Sequence, residues 1–366
     1  MWRVCSLFDC SLWSVTTYAD APLAPYTTLG VGGPARWLIE AQNEDELLAA
    51  VRFARSRSVP LFVMGGGSNL LVADRGFRGV VIHLACGAGG LEMRYQNGGS
   101  IVSADAGVEW DSLVQFAVEK NLAGIECLAG IPGSVGGTPV QNVGAYGQEV
   151  SRTIVRVSAI DLESERAVEF TPTECGFAYR QSIFNTVHRG RYAITRVEYG
   201  LTPGGVPLME YRDLKQYFAG RPAPSLFETA AGVRTIRAGK GMLLSPYDSD
   251  SRSAGSFFKN PIVGAEVVTK VAAVKGCKVE EVPQFPAGVE GKTKLSAAWL
   301  MELAGFSKGY TMGRAGLSTK HVLAIVNRGG ATAAEIVALR DAVVDGVRAK
   351  TGIGLEQEPV LLGFAG

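Results

Sequence analysis

Two stretches dense in glycine yet apolar constrain this chain most: MGGGSNLLV (64–72) and AGIPGSVGGTPVQNVGAYG (129–147). Neither shows the 3.6-residue period of a helix or the alternation of a strand. The second is too apolar and too particular to be a linker. Glycine accounts for 46 of 366 residues, about 13% against a usual ~7%. Consecutive glycines let backbone N–H groups converge into an anion-binding nest. In the first stretch Gly65, Gly66 and Gly67 follow a short apolar strand, and Ser68 and Asn69 add side-chain donors. This reads as a phosphate cradle, with a flexible turn as the alternative. The GK[ST] of a nucleoside triphosphate loop is missing. In the second stretch Gly133, Gly136, Gly137, Gly144 and Gly147 allow close approach to a planar or phosphorylated ligand, and Gln141, Asn142 and Tyr146 stand ready to fix its edges. A self-packed loop is the alternative there. Two cradles in one chain favour a long cofactor, its diphosphate at one and a ring at the other.

Composition removes several classes. A length of 366 residues predicts two or three domains. With 47% hydrophobic and 19% charged residues the chain is no disordered protein. Its formal charge of +1 gives no footprint for nucleic acid. No run approaches the ~18 apolar residues of a membrane helix. The six cysteines are scattered without a CxxC, and His83, His188 and His321 have no zinc spacing, so neither a disulfide framework nor a metal is expected. Asp9 interrupts the only candidate signal segment, so residues 1–17 read as an extension and the chain as a cytoplasmic one.

Strands are expected at 36–40, 61–64, 80–84, 100–107, 154–170 as a hairpin, 192–201, 321–327 and 355–363. Asn43 with Glu46 starts a helix ended by Pro60, and Thr332 with Glu335 starts another over 333–350. Further helices are expected at 110–118 with Gly124 just beyond, near 210–219 and 225–238, and at 264–275 and 295–304. Thr171-Pro172-Thr173-Glu174 carries the same start signature and predicts a helix leading into GFAYRQSIF. The mixture lacks strict βα alternation, which makes the fold class α+β. GVGGPA (30–35) fits a dinucleotide pattern, but Pro34 and the strand behind it make it a tight turn.

Three further segments could carry chemistry. Tyr179 and Arg180 are expected where the 171–180 helix ends, and arginine suits bidentate carboxylate or phosphate recognition. Ser256 lies between a glycine and Phe257-Phe258, which would place its hydroxyl in a partly dry wall; no histidine is near enough in sequence to suggest a triad. Glu356 and Glu358 share a face of a short final strand.

Together, YTTLGVGGPARW, MGGGSNLLV, AGIPGSVGGTPVQNVGAYG, YRQSIF, AGSFFKNP, KLSAAWLMELAGF, GLSTKHVLAIVN and GIGLEQEPV, in this order, resemble the UDP-N-acetylenolpyruvoylglucosamine reductase (MurB) family over about residues 18–363. The resemblance implies a two-part FAD-binding module of the vanillyl-alcohol-oxidase (PCMH) type, 18–85 and 86–234. It adds a separate α+β substrate-binding domain, 235–352, and a C-terminal strand, 353–366, that returns to the active site. It implies non-covalent FAD, NADPH as hydride donor and a UDP-sugar substrate, with no nucleic acid, no membrane insertion and a monomer favoured. Covalent flavin through His or Cys is disfavoured, because 128–147 contains neither. The reaction implied is reduction of an enolpyruvyl ether; its charge builds up beside a carboxylate, and a carbon must be protonated.

Residue by residue, Arg180 matches the arginine that polarises the carboxylate, Ser256 the proton donor and Glu358 the acidic partner at the same site. Cofactor contacts fall on Gly65, Gly66, Gly67, Ser68, Asn69, Ile131, Pro132, Gly133, Ser134, Gly137, Gly144, Ala145, Tyr146 and Gly147. Substrate contacts fall on Tyr179, Tyr211 in a lid segment, Arg237, Lys240, Asn260 and His321. Phe285 and Val360 depart from the pattern, where some members carry Tyr and Arg. The other classes to exclude are a different flavin oxidase on this fold and a non-catalytic flavin-binding paralogue.

Overall fold

The computed structural model describes residues 15–85, 90–96 and 98–364. Cys5, Cys10 and Cys86, the candidate signal segment up to residue 14 and the turn at 86–89 lie outside the described residues. The chain forms two compact units. The first holds Gly33–Gly67 and Gly76–Gly239 with the described residues before Thr27; the second holds Thr27–Gly32, Ser68–Arg75 and the chain from Lys240 onward.

Among the described residues the first unit contains two sheets of four or more strands. One has the strand order Thr17–Pro22, Pro34–Ala41, Phe77–Leu84, Leu61–Met64. Its outer pair is antiparallel and the rest are parallel. Helix α1 (Glu44–Ser56) covers it, burying Leu47, Val51 and Phe53 against Ile39, Val80 and Ile82. The cap that starts α1 is the expected one: Asn43 accepts from Glu46 N at 2.9 Å, and Glu46 accepts from Gln42 N at 2.7 Å. The other sheet is antiparallel, ordered Arg166–Phe170, Ile154–Asp161, Tyr192–Pro203, Gly99–Asp105, Leu91–Gln96, with Leu122–Ala123 added on Tyr192–Pro203. Helices α2 (Trp110–Glu119), α3 (Arg212–Tyr217) and α4 (Leu226–Gly239) share its core, where Trp110, Leu113, Val197, Tyr199, Leu214 and Val233 are buried.

The second unit carries α5 (Ala265–Lys275), α6 (Ala297–Leu303) and α7 (Ala333–Thr351) with short antiparallel strands and one parallel pair, Leu70–Val72 with Val360–Leu362. Phe257 and Phe258 anchor its core, each contributing about 2 kcal/mol by burial. The expected Thr332–Glu335 box starts α7, and the Asp74 carboxylate accepts from Ala333 N and Ala334 N. Among the described residues no helix is long and apolar enough to cross a membrane.

Several expectations are corrected. No helix forms at 171–180, although Thr171 and Glu174 make the capping bonds; Gly176 at φ 57° turns the chain away. Helix α2 ends before Asn121, whose φ of 54° makes the left-handed turn that Gly124 was expected to mark. Residues 321–324 form a turn, and only Ile325–Asn327 is strand. The final strand begins at Val360; upstream, Phe258 and Gln357 form a single bridge, so Glu356 and Glu358 do not sit in a regular strand. Pro34 does open a strand rather than a helix.

Candidate active site

In the first unit the two glycine-rich stretches meet. Gly66 N donates to Ser134 Oγ at 3.2 Å. A Cβ built on Gly66 would stand 2.7 Å from Gly133 Cα, and one on Gly65 would overlap Ser134 Oγ. Only glycine permits this backbone-on-backbone approach. The second loop is tied down from behind: Trp110 N donates to Gly133 O at 3.0 Å, Gly130 N to Asp111 Oδ1 at 2.6 Å, and Arg237 Nε to Gly130 O at 3.0 Å. Ile131 and Pro132 are half-buried between these anchors, and Gly137 is exposed with open space where a Cβ would point. Gly136, by contrast, faces Ala106, so its close approach is to the protein's own sheet rather than to a ligand.

The hairpin Gly144-Ala145-Tyr146-Gly147-Gln148-Glu149 closes this loop. Tyr146 is buried at φ 48°, and its ring meets the Tyr211 ring edge-on at 5.3 Å. Burial pushes the Tyr146 phenol up to about 12, while the Arg237 guanidinium pulls the other way. Arg237 is 8% exposed, and burial lowers its pKa. Tyr211 immediately precedes α3 without a side-chain capping bond, and its phenol is raised by burial, then by Asp213 and Tyr179.

Arg180 sits in a turn at φ 57°, not at a helix end. Its Nη2 donates to Gly144 O at 2.6 Å, and its guanidinium lies 5.5 Å from the Tyr179 ring. Asn142 was expected to meet a ligand. It is instead 1% exposed, and its amide is used internally, donating to Ala178 O and Glu149 Oε2 and accepting from Ser151 N.

In the second unit Ser256 is half-buried, between Gly255 at φ 72° and the buried Phe257. Glu358 N donates to Phe257 O at 2.8 Å, and Asn69 Nδ2 donates to Glu358 O at 3.3 Å. Asn69 O in turn accepts from Val360 N at 2.9 Å, so the GGGSN segment ends by fixing the strand that follows Glu358. Glu356 lies on the surface, paired with Lys259 Nζ at 2.6 Å. Asn260 Oδ1 accepts from Ala297 N, the first N–H of α6, at 2.9 Å, while Ser296 is the cap of that helix. His321 lies in a turn held by Ser318 Oγ, and Ser68 and Lys240 are half-buried.

Residues 35–171 match the family model of an FAD binding domain. Residues 245–362 match that of the UDP-N-acetylenolpyruvoylglucosamine reductase C-terminal domain. Over 360 residues the chain is 46% identical to UDP-N-acetylenolpyruvoylglucosamine reductase of Thermobifida fusca, covering 95% of this chain and 99% of that one. The chain belongs to the UDP-N-acetylenolpyruvoylglucosamine reductase family. The Streptomyces coelicolor reductase is 46% identical over 354 residues, 94% of this chain and 90% of that one. The crystal structure of the Thermus caldophilus reductase (MurB) aligns with a TM-score of 0.63 at 29% identity, over 95% of this chain and 98% of that one.

FAD, the cofactor of this family's reaction, fits the donor set present. The Gly66–Ser134 bond brings the two glycine-rich loops together, and Gly137 beside it is exposed with open space where a Cβ would point. Sequence reasoning passed over one residue here. Glu126 lies between the two cradles in the sequence, is 1% exposed, and gathers three N–H donors. Its only signal was a lone acid inside the apolar run IECLAGI.

Proposed function

We propose that Arg180, Ser256 and Glu358 carry the chemistry by which this flavoprotein reduces UDP-N-acetylglucosamine enolpyruvate to UDP-N-acetylmuramate, a step of peptidoglycan precursor synthesis. Bound FAD supplies the two-electron relay between NADPH and the enolpyruvyl double bond. The chain's own residues handle charge and protons. The planar fork of Arg180 takes the substrate carboxylate, beside which negative charge builds up. Ser256 Oγ gives its proton to the carbon next to that carboxylate. Glu358 is the acidic partner at this step. Gly65, Gly66, Gly67, Ser68, Asn69 and the loop from Ile131 to Gly147 hold the cofactor. Tyr179, Tyr211, Arg237, Lys240, Asn260 and His321 bind the sugar nucleotide, with the buried charge of Arg237 suited to phosphate.

The single observation behind this reading is the 46% identity along nearly the whole chain; the match of residues 35–171 to an FAD binding domain supports the cofactor half. The same reading places the protein in the cytoplasm as a monomer, serving cell-wall growth and hence cell shape and division. The test is colour. The purified protein should be yellow, bleach with NADPH and regain colour when the enolpyruvyl sugar nucleotide is added. Bleaching without recovery would point to a different flavin oxidoreductase, and no bleaching to a non-catalytic flavin-binding paralogue.

A further inference from the structure

Glu126 is a charged side chain sealed inside the first unit, and no role above uses it. Its carboxylate gathers donors from three separate segments. Oε2 accepts from Gly124 N at 2.8 Å; Oε1 accepts from Gln148 Nε2 at 2.7 Å and from Leu208 N at 3.0 Å. The Gln148 amide is thereby oriented, and its Oε1 accepts from Cys127 N at 2.7 Å. The Cys127 thiol lies 3.3 Å from Leu208 O, and Gly147 packs against the Leu208 side chain. One buried carboxylate thus joins the Gly144–Glu149 hairpin to the 206–211 segment.

Each of those two segments carries one tyrosine of the edge-on pair, Tyr146 and Tyr211. Glu is seldom buried without partners, and a buried carboxylate is costly unless its oxygens are satisfied. Here they are satisfied by groups that must come from both segments at once. We propose that Glu126 is a positioning residue that sets the Tyr146–Tyr211 pair for sugar-nucleotide binding. The inference rests on the reading of Tyr211 as a substrate contact. It needs no movement: the clamp holds the 206–211 segment in register with the hairpin before any ligand arrives.

Glu126→Gln is nearly isosteric but places an NH2 against N–H donors whichever way it turns, so the clamp opens. The test is a double-mutant cycle on the holoenzyme. It reads the Kd for the enolpyruvyl sugar nucleotide by calorimetry and its KM, for Glu126→Gln, Tyr211→Ala and the double variant. Glu126→Gln and Tyr211→Ala should each raise Kd about tenfold, and the double variant should be no weaker than Tyr211→Ala alone. If the two effects multiply, Glu126 does not act through Tyr211 and the proposal fails. If Tyr211→Ala keeps the parental Kd, the reading of Tyr211 is wrong and the proposal falls with it, by a separate signature. Should Glu126→Gln not accumulate as folded flavoprotein, Leu208→Pro cuts the same link from the 206–211 side, removing the N–H that meets Glu126 together with the side chain on Gly147, and the same cycle is run with it. A Leu208→Pro Kd equal to the parent's would also overturn the proposal.

Discussion

Arg180 donates from Nη2 to the backbone oxygen of Gly144 at 2.6 Å while its own backbone is held at φ 57°. A left-handed conformation at a non-glycine residue costs of order 1–3 kcal/mol and persists only where neighbours impose it. Here Asn185 Nδ2 donates to Arg180 O, and Ala178 and Gln181 exchange backbone bonds across the turn. The buried Asn142 amide holds Ala178 from below. The guanidinium thus reaches two backbone oxygens of the second loop, Asn142 O at 3.4 Å and Gly144 O at 2.6 Å.

That arrangement predicts the outcome of Gly144→Ala. The added Cβ would stand 2.7 Å from Glu149 Cγ, 2.8 Å from Gln148 O and 3.2 Å from Arg180 Nη1. Either the hairpin or the guanidinium must shift, and in the proposed role of Arg180 a shift near 1 Å costs about 10²-fold. Single-turnover flavin reoxidation by the enolpyruvyl sugar nucleotide should slow by about that factor, with flavin reduction by NADPH far less affected. Equal slowing of both half-reactions would return Gly144 to the cofactor cradle alone.

What could be read from the residues follows a physical line. Local signals whose bonds form within one turn were legible: the Asn43–Glu46 and Thr332–Glu335 caps predicted α1 and α7. The same signature at 171–174 formed its bonds but no helix, because Gly176 turns left-handed and no apolar period follows to be buried. The glycines predicted close approach but not what approaches; Gly66 meets Gly133, about 70 residues away, which only tertiary packing decides. Asn142 looked ligand-facing because an asparagine that bonds backbone leaves the same mark in sequence.

The cofactor cradle is testable through Gly66. Gly66→Ala inserts a methyl 2.7 Å from Gly133 Cα, at the point where Gly66 N meets Ser134 Oγ, so one of the two loops must shift. Overpacking of this kind costs about 1–3 kcal/mol. The clash exists with or without ligand, so it pushes the two loops apart; if they hold FAD, the displaced cradle should bind it at least ~10-fold more weakly. Fluorescence titration of the apoprotein reads this, with far-UV circular dichroism as the check on folding. A folded variant with parental FAD affinity would remove the phosphate assignment from the GGGSN loop.

Ser256 separates the half-reactions in the other unit. As a proton donor it acts only when the substrate is reduced. Ser256→Ala should leave the NADPH half-reaction at its parental rate and slow reoxidation by about 10²–10⁴-fold, the usual scale of a general acid step. Phe257 and Phe258 stay buried in this variant, so thermal stability should change little. Equal slowing of the two half-reactions would make Ser256 a binding residue.

Glu356 and Glu358 are two residues apart, yet their surroundings differ. The Glu356 side chain is 70% exposed and pairs with Lys259, an arrangement worth about 0–1 kcal/mol. Between them Gln357 bridges to Phe258 and turns its amide to Arg340 and Pro359 O. Glu358 is half-buried, with its N–H on Phe257 and its carbonyl oxygen on Asn69. Its backbone is thus fixed on both sides, one residue before the proline that ends the pairing on that edge. A fixed, half-buried carboxylate can hold a charge in place during turnover; an exposed one on a lysine cannot. Glu358→Gln should therefore cripple single-turnover reoxidation by the enolpyruvyl sugar nucleotide, while Glu356→Gln keeps near-parental rates in both half-reactions. Loss of activity in Glu356→Gln instead would put the functional carboxylate two residues earlier, at the Lys259 pair. Parental reoxidation in both variants would leave Arg180 and Ser256 to carry the chemistry without a carboxylate.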